Sequence, residues 1–251
     1  MKKDIKQIQN AQLGILEQLL AVFKEHNLNY IAVCGTLLGA YRHKGFIPWD
    51  DDIDLGMPRE DYDRFLKMQN DMPDNLFIQH YSTESTYPLY FAKVRLNGSR
   101  FVERRFKTFD IHHGVYVDIF PLDNIDKSTN TESKFKQLEK CSDNFRRSLK
   151  PYKKWLYFLT NPFKNAKSYF AEYDKVSQSD NDKSVDKIGY LLLHDYFDVQ
   201  ENWSEHQLPF EHLMINVPHN IEKYLEYKYG NYMELPAEKD RKTHNIIEFS
   251  L

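Results

Sequence analysis

The chain has 251 residues, of which 41% are hydrophobic and 28% are charged, a balance typical of a globular protein with one large domain or a core with an appended half. Its net charge of −3 argues against general nucleic-acid binding, and its two cysteines, Cys34 and Cys141, show neither a disulfide framework nor zinc-knuckle spacing. No apolar run follows the N-terminal lysines and none approaches the ~18 residues of a transmembrane helix, so we expect a cytoplasmic protein.

The first predicted elements are a helix and a buried strand. Apolar residues recur with helical spacing over residues 4–26, which predicts a helix that covers one face of a sheet. Residues 30–34 are apolar and partly β-branched and predict a strand, which Gly35 ends before a short helix that we expect to begin at Leu37. Free N–H groups at such a turn suit a phosphate, so Gly35 and Thr36 are candidate binding residues; a purely structural glycine is the alternative.

A basic loop follows at residues 42–49. Arg42 and Lys44 are placed to meet the phosphates of a ligand, and a solvated basic loop is the equally weighted alternative. Trp49 is a candidate for stacking on a base or an ammonium group, although we slightly favour its serving as an anchor of the loop in the core.

An acidic cluster comes next, with four aspartates within five residues: Asp50, Asp51, Asp52 and Asp54. We interpret this segment as a short strand that ends near Gly56, on which Asp52 and Asp54 share one face. Neighbouring carboxylates on a strand repel each other, and a divalent cation relieves that repulsion. Hard oxygen ligands favour Mg²⁺ or Mn²⁺ over zinc. A solvated acidic edge or turn is the alternative.

A basic strand is predicted at residues 89–96, after a helix that begins at Pro58. Lys93 and Arg95 share one face of this strand, and the following Asn97-Gly98 pair signals a hairpin turn. The two cations either bind a diphosphate or a leaving nucleotide, or are exposed charges on an edge strand.

A second acidic strand is predicted where residues 114–121 read GVYVDIFP. Asp118 is a lone carboxylate among apolar residues, and its burial is costly unless it is paired or binds a metal. Capping of the turn at Pro121 is the alternative. If this strand lies beside the first acidic strand, Asp52, Asp54 and Asp118 converge, hold one or two metals and activate a hydroxyl for attack on phosphorus.

The chain changes character after residue 126 and becomes rich in Lys, Ser, Asp and Asn. We therefore predict three segments: a catalytic core at 1–126, a helical region at 127–200 and a C-terminal segment at 201–251 that packs back on the core. Residues 150–170 mix lysines with aromatic residues, for which we favour an ordinary helical hairpin over peripheral contact with an anionic membrane. Residues 203–217 return to a sheet pattern, and a helix is predicted at 221–229.

Three blocks of the sequence together resemble the LicD family. They are GTLLGAYRHKGFIPWDDDIDLGMPREDYDRF at residues 35–65, HHGVYVDIFPLD at 112–123 and YLEYKYGNYMELPAEKDRKTH at 224–244. Within them, Gly35-Thr36, Asp52-Ile53-Asp54 and Asp118 resemble the nucleotidyltransferase signature. The resemblance extends from about residue 28 to residue 244. It implies an α+β fold, in which a nucleotidyltransferase-like mixed sheet is flanked by helices and carries a helical insertion or second half.

Members of that family transfer a phosphorylated alcohol from a CDP-activated donor to a cell-surface glycan, and the resemblance implies the same reaction here. We favour phosphocholine from CDP-choline; ribitol phosphate from CDP-ribitol is the case in the related fukutin-like proteins. Acceptors of this class are teichoic acid, lipopolysaccharide and capsule, free or lipid-linked, which would place the protein at the inner face of the cytoplasmic membrane.

The resemblance also implies roles for individual residues. Asp52, Asp54 and Asp118 would be the catalytic residues and the ligands of Mg²⁺ or Mn²⁺, and Asp118 would help to deprotonate the acceptor hydroxyl. The CDP-alcohol would be bound by seven residues: Gly35, Thr36, Arg42, Lys44, Trp49, Lys93 and Arg95. Only the family pattern suggests that Glu211 and His244 approach the site, and the glycine that usually follows Glu211 is His212 here.

Two other functions stay open. One is a nucleotidyltransferase that moves NMP from an NTP to a small-molecule acceptor, which would release pyrophosphate where the phosphoalcohol transferase releases CMP. The other is a binding module without activity, which the presence of all three aspartates argues against.

Overall fold

The computed structural model describes residues 2–150, 164–199, 203, 205–241 and 243–251. Within them there are six α-helices: α1 (Lys2–Glu25), α2 (Cys34–His43), α3 (Arg59–Phe65), α4 (Thr131–Leu149), α5 (Ala166–Ser177) and α6 (Ile221–Tyr229). The strands are β1 (Ile31–Ala32), β2 (Asp54–Pro58), β3 (Leu76–Gln79), β4 (Ala92–Leu96), β5 (Arg100–Glu103), β6 (Tyr116–Asn124), β7 (Lys187–Tyr190), β8 (Asp195–Asp198), β9 (Gln207–Phe210), β10 (Leu213–Asn216) and β11 (Ile246–Ser250).

The main sheet has seven strands, with β1-β2-β6-β4-β3 in order and β7 and β8 continuing from β6. Strands β2 and β6 are parallel, and the other pairs are antiparallel. Because parallel neighbours need a long crossover, the chain between β2 and β6 supplies α3 and β3 to β5 before it returns. Two small ladders, β9–β10 and β5–β11, complete the strand pairing of the described residues. The predicted α+β class with a mixed sheet is confirmed.

Helix α1 covers the sheet with the apolar stripe that its sequence predicts. The buried side chains recur every three to four residues, at Ile8, Ile15, Leu19 and Phe23, among others. They join the core that the sheet strands share. The helix thereby buries its apolar face on the layer that carries the aspartates.

Two glutamines on the buried face of α1 hold the acidic loop in place. Gln9 Nε2 donates to the carbonyl of Asp50 at 2.9 Å, and Gln12 Nε2 donates to the carbonyl of Asp51 at 2.7 Å. These bonds satisfy backbone oxygens that have no strand partner. The position of the loop is therefore fixed from the first helix of the chain.

The turn after β1 is tighter than predicted. The strand is Ile31–Ala32, and α2 begins at Cys34 rather than at Leu37. Cys34 has a φ of 50°, a left-handed conformation that turns the chain directly from the strand into the helix. Gly35 therefore lies in the first helical turn, where a Cβ would approach Asp50 Oδ2 to 2.5 Å.

The acidic segment also differs from its prediction. Strand β2 begins at Asp54, and Asp52 lies in the loop before it, so the prediction that both aspartates alternate along one strand is wrong. Strand pairing with β6 begins only at Asp54, because the backbone carbonyls of Asp50 and Asp51 are bonded to Gln9 and Gln12 of α1 instead.

The basic strand is an interior strand. β4 lies between β3 and β6, and Lys93 and Arg95 are 0% and 1% exposed, so the alternative of exposed edge charges is wrong. The predicted hairpin at Asn97-Gly98 is also wrong, because β5 pairs with β11 instead of β4. Pairing with the C-terminal residues takes the place of the local pairing that the turn residues favour.

Helices α4 and α5 pack together through a second apolar cluster that contains Tyr90, Phe145 and Tyr173. The predicted helical region 127–200 thus contains these helices and also β7 and β8, which extend the main sheet. Most of the basic-aromatic stretch lies at 151–163, outside the described residues, and the segment boundaries stay predictions. No helix in the described part of the chain is long and apolar enough to cross a bilayer.

Candidate active site

A row of charged side chains crosses three neighbouring strands. Asp54 of β2 is the register partner of Asp118 on β6, and Asp118 is also the register partner of Lys93 on β4. Lys93 Nζ donates to Asp118 Oδ1 at 2.5 Å, and all three residues are buried. Side chains on paired positions of adjacent strands share a face, so the register alone sets these groups side by side.

Asp52 completes a group of three carboxylates. One oxygen from each of Asp52, Asp54 and Asp118 lies within 4.8 Å of the others. Burial raises the pKa of all three carboxyls, and the Asp52 and Asp118 charges raise that of Asp54 further. Burial and Asp52 likewise raise the pKa of Asp50 well above its usual range. Buried like charges of this kind repel each other unless a cation compensates them.

The set fits a hard divalent cation. Every ligand atom is a carboxylate oxygen, and the three side chains project from a rigid sheet and a loop that α1 holds. Lys93 is bonded to one of the carboxylates and offsets one of the three charges. The residual negative charge and the all-oxygen donor set suit Mg²⁺ or Mn²⁺.

Thr36 and Gly35 set the distance between α2 and the aspartates. The Thr36 hydroxyl accepts a hydrogen bond from the backbone N–H of Asp54 at 2.8 Å, and Thr36 is buried. The missing Cβ of Gly35 leaves room for the Asp50 carboxylate. Both residues of the predicted phosphate turn therefore contact the acidic cluster directly.

His244 joins the site from the far end of the chain. Its backbone N–H and its Nδ1 each lie 2.8 Å from an oxygen of Asp51, which is 1% exposed. Nδ1 lies 3.7 Å from Asp52, and Nε2 lies 3.5 Å from Glu103. Burial opposes protonation, but the hydrogen bond to Asp51 and the charges of Asp52, Asp51 and Glu103 raise the pKa of His244 to about 9. At neutral pH the imidazolium therefore offsets part of the acidic charge.

A second network fixes the start of α2. Asp195 accepts hydrogen bonds from Tyr224 Oη at 2.6 Å, from Cys34 Sγ at 3.2 Å and from Lys228 Nζ. The backbone N–H of Cys34 donates to Tyr224 Oη at 3.3 Å. Burial raises the pKa of the Cys34 thiol well above its usual range, so the thiol stays neutral and acts as a hydrogen-bond donor. Tyr224 and Lys228, one turn apart on α6, thus brace the glycine turn.

The other predicted binding residues lie away from the carboxylates. Arg42 donates to the carbonyl of Tyr232 at 2.5 Å, and Arg95 donates to Gln79 at 2.7 Å and to the carbonyl of Gly114 at 2.6 Å. Lys44 ends α2 in a left-handed conformation and is exposed. The guanidinium of Arg241 lies 4.3 Å from the centre of the Trp49 ring.

Arg42 and Trp49 nevertheless share a cleft of about 460 Å³ with residues 229–237. Tyr229 lines this cleft, and burial together with the charges of Cys34, Asp54 and Asp50 raises the pKa of its hydroxyl. Tyr229 therefore lies within electrostatic range of Asp54 and Asp50. Glu211 lies behind it, where its Oε1 accepts from the N–H of Phe46 at 3.2 Å and supports the basic loop.

Sequence reasoning had assigned no role to Asp51, Asp195 or Lys228, and only the family pattern suggested His244. Each contacts a partner far away in sequence, up to 193 residues in the case of Asp51 and His244. The third of the family blocks, which contains Lys228 and ends at His244, was the available signal.

A mixed sheet that carries Asp54 and Asp118, with Asp52 in the adjoining loop and a strand–turn–helix unit beside them, defines a nucleotidyltransferase-like domain. Residues 27–160 match the family described as LicD/FKTN/FKRP, nucleotidyltransferase domain. The chain belongs to the LicD family, as its motifs predict.

Three relatives place the chain among known sequences. It is 30% identical over 275 residues to the lipopolysaccharide cholinephosphotransferase LicD of Haemophilus influenzae, across 99% of this chain and 98% of that protein. An uncharacterized protein of Rickettsia typhi is 51% identical over 44 residues, which cover 18% of this chain and 14% of that protein. One of Rickettsia prowazekii is 54% identical over 37 residues, which cover 15% and 14%.

Proposed function

We propose that this protein transfers phosphocholine from CDP-choline to a cell-surface glycan and releases CMP. The observation that carries the proposal is the convergence of Asp52, Asp54 and Asp118 within 4.8 Å, with Lys93 on Asp118. The printed name of the Haemophilus influenzae relative, a lipopolysaccharide cholinephosphotransferase, supports the choice of alcohol and makes lipopolysaccharide the first acceptor to test.

We assign Asp52, Asp54 and Asp118 as the ligands of Mg²⁺ or Mn²⁺. When bound, the cation neutralises charge on the phosphates and lowers the pKa of a hydroxyl near it. Lys93 holds Asp118 in its ionised form through Oδ1, which leaves Oδ2 to accept the proton of the acceptor hydroxyl. The acceptor oxygen then forms a bond to the choline-bearing phosphorus, the bond from that phosphorus to the CMP oxygen breaks, and CMP leaves.

We place the cytidine part of CDP-choline in the cleft that Arg42 and Trp49 line, because this cleft approaches the acidic cluster at Tyr229. Trp49 offers an aromatic face and Arg42 a positive charge for the nucleotide. Gly35 and Thr36 keep the start of α2 against Asp50 and Asp54, where its N-terminal partial charge favours a phosphate. Lys44 and Arg95 act through the local field rather than by contact with the aspartates.

The acceptor that we propose is a free or lipid-linked glycan at the inner face of the cytoplasmic membrane. Teichoic acid and capsule are further acceptors of the same class. A nucleic-acid acceptor is disfavoured by the net charge of −3.

The test is the melting temperature with Mg²⁺ and each of CTP, CDP-choline, CDP-ribitol and CDP-glycerol, followed by analysis of products. A ligand of the native state raises the melting temperature by mass action. We expect a Mg²⁺-dependent shift with CDP-choline and release of CMP, both lost in Asp54→Asn and retained in the exposed control Asp71→Asn.

Three results would contradict the proposal. Release of pyrophosphate from CTP would assign a nucleotidyltransferase. A shift with CDP-ribitol or CDP-glycerol but not with CDP-choline would change the alcohol. No shift with any of the four compounds would favour the binding module.

A further inference from the structure

A second pocket lies outside the catalytic centre, between the start of α6 and strands β7 and β8. It encloses about 130 Å³. Among the described residues that line it are three lysines, Lys127, Lys187 and Lys223, and a single carboxylate, Asp198. The pocket is therefore positively charged in a chain whose net charge is −3.

Two of the three lysines share that one carboxylate. Lys187 Nζ contacts Asp198 Oδ1, and Lys223 Nζ lies 3.8 Å from Oδ2, which also accepts from Asn220 Nδ2 at 2.5 Å. Lys127 lies 5.7 Å from the centre of the Tyr196 ring. Burial and the charges of Lys223 and Lys127 lower the pKa of Lys187. The ammonium groups thus repel one another, and an anion in the pocket would relieve that repulsion.

The remaining walls are aromatic. The rings of Tyr196 and Tyr227 are 5.9 Å apart at an angle of 55°, and Tyr227 is 58% exposed. Phe197 and Tyr224 stack at 4.5 Å behind them. Apolar ring faces combined with a few convergent charges are typical of sites for small organic ligands. Lysine is a common phosphate-binding residue, and tyrosine presents both a flat apolar face and a polar hydroxyl.

We propose that this pocket binds a phosphorylated sugar, with the phosphate on Lys187 and Lys223 and the sugar ring against Tyr196 and Tyr227. An inorganic anion alone would leave the aromatic walls unused, and a neutral sugar would leave three lysine charges with the single negative charge of Asp198. A sugar phosphate meets both requirements.

Tyr224 connects the pocket to the catalytic turn. Its ring lines the pocket, while its hydroxyl contacts Asp195 and the backbone N–H of Cys34, immediately before Gly35. The pocket and the turn therefore lie at opposite ends of one side chain. On the basis of the proposed function, the sugar phosphate is part of the glycan acceptor, which this pocket holds while a more distant hydroxyl reaches the aspartates.

The experiment is calorimetric titration of the full chain with glucose 6-phosphate, glucose and inorganic phosphate. We expect glucose 6-phosphate to bind at least about tenfold more tightly than either of the others, since each tenfold step is about 1.4 kcal/mol. The double substitution Lys187→Gln/Lys223→Gln should weaken this binding by about tenfold or more, because two charge-assisted contacts are lost. Tyr227→Ala, which removes an exposed ring, should weaken it by several-fold, and Lys67→Gln, an exposed lysine on another surface, should not.

Binding of CDP-choline with Mg²⁺ is measured on the same variants. The pocket variants should retain it, whereas Asp54→Asn should lose it and still bind glucose 6-phosphate. The two bindings are thus tested separately. Failure to bind glucose 6-phosphate contradicts this inference, whereas failure to bind CDP-choline contradicts the proposed function. Equal binding of inorganic phosphate and glucose 6-phosphate, or unchanged binding in the double variant, would overturn the inference. So would lysine-dependent binding to phosphatidylglycerol vesicles without binding of glucose 6-phosphate.

Discussion

Asp118 occupies a position between a cation on one neighbouring strand and a carboxylate on the other. Lys93 is fully buried and bonded to it, so the pair is shielded from the solvent that weakens surface ion pairs. A buried pair of this kind contributes less to net stability than to the placement of its charges. Here the placed group is a carboxylate that Lys93 holds beside two others.

Substitution of Asp54 should separate stability from activity. We expect Asp54→Asn to lower turnover by about 10²–10³-fold, since it removes a charged group from the reacting centre. Without metal, the variant should melt at a higher temperature than the wild type at pH 8 and at the same temperature at pH 4. Burial, Asp52 and Asp118 raise the pKa of Asp54, so its ionisation above that pKa costs stability, and the neutral form below it does not.

Turnover and melting curves at both pH values check this prediction. Asp71→Asn, at an exposed site, is the matched control and should change neither quantity. Retention of near-normal turnover by Asp54→Asn would contradict the role of the cluster.

His244 should stabilise the protein in a pH-dependent way. Its pKa is raised from 6.5 to about 9, so its contribution is fully present below pH 6.5 and is lost as the pH rises through 9. His244→Gln should therefore lower the stability by about 2 kcal/mol at pH 6, because it leaves the buried Asp51 without its charged partner. For a chain of this size that corresponds to roughly 4–8 °C in melting temperature.

The measurement is a series of melting curves from pH 6 to pH 10 for both proteins. The difference between them should shrink at the alkaline end. A difference that is constant across this range would assign the effect to packing instead of charge.

At the scale of elements, the site depends on how closely α2 approaches the loop that follows it. A Cβ on Gly39 would lie 2.5 Å from the carbonyl oxygen of Gly45 and 3.3 Å from the backbone nitrogen of Ile47. Backbone atoms at these distances cannot rotate away as the end of a side chain can. The loop therefore packs against a helix surface that only glycine provides.

Two glycine substitutions in helices should have opposite effects. Gly39→Ala should destabilise the protein by about 1–3 kcal/mol through overpacking. Gly14→Ala in α1 should stabilise it by about 0.5–1 kcal/mol, because nothing lies within 4 Å of the added Cβ and alanine favours the helix. Urea unfolding of both variants measures the two changes in the free energy of unfolding. If Gly14→Ala destabilises the protein, helix propensity does not determine the sign of that change.

The ladder between β5 and β11 is the element that delivers His244 to the aspartates. Deletion of residues 246–251 should reproduce the effect of His244→Gln on melting temperature, because His244 loses the strand that holds it beside Glu103. Glu248→Gln breaks the exposed pair with Arg100 and should leave the melting temperature close to that of the wild type, because solvent screens the pair. A melting temperature that the truncation leaves unchanged would separate β11 from the site.

The elements that sequence predicted well are those with a local cause. The helical spacing of apolar residues predicts α1, and the run of β-branched residues around Asp118 predicts β6. The start of α2 at Cys34, the loop position of Asp52 and the pairing of β5 with β11 depend on contacts between distant segments. The Asn97-Gly98 pair is a local turn signal and predicts a hairpin between β4 and β5. It carries no information on β11, which pairs with β5 in the structure.

At the scale of the whole molecule, Mg²⁺ should stabilise the fold more at pH 8 than at pH 5. Burial raises the pKa values of Asp52, Asp54 and Asp118, so at the lower pH protons compete with the cation for the same oxygens. At a concentration about 100-fold above its dissociation constant, Mg²⁺ should add about 2.7 kcal/mol of stability at pH 8. Melting curves with and without the cation measure this change. An equal shift at both pH values, or the same shift in Asp54→Asn, would place the bound cation elsewhere.

Most of the candidate site could be predicted because its central residues lie on predicted strands whose apolar neighbours fix their face. Asp54, Asp118 and Lys93 belong to this group, whereas Asp52 lies in the loop before β2. The residues that surround them could not, since Asp51, Asp195 and His244 take their places from the tertiary fold. The loop conformation decides whether a buried aspartate faces a ligand or a histidine. The spacing of the aspartates in the sequence does not determine that conformation.

The bond between Asp51 and His244 joins residues 193 positions apart, and β11 must pair before His244 is held. During synthesis, the first acidic segment leaves the ribosome long before its partner has been translated. A growing chain therefore carries an unneutralised acidic loop until residues up to Ser250 emerge. The contact between Asp51 and His244 is therefore among the last long-range contacts of the described residues that can form as the chain is made.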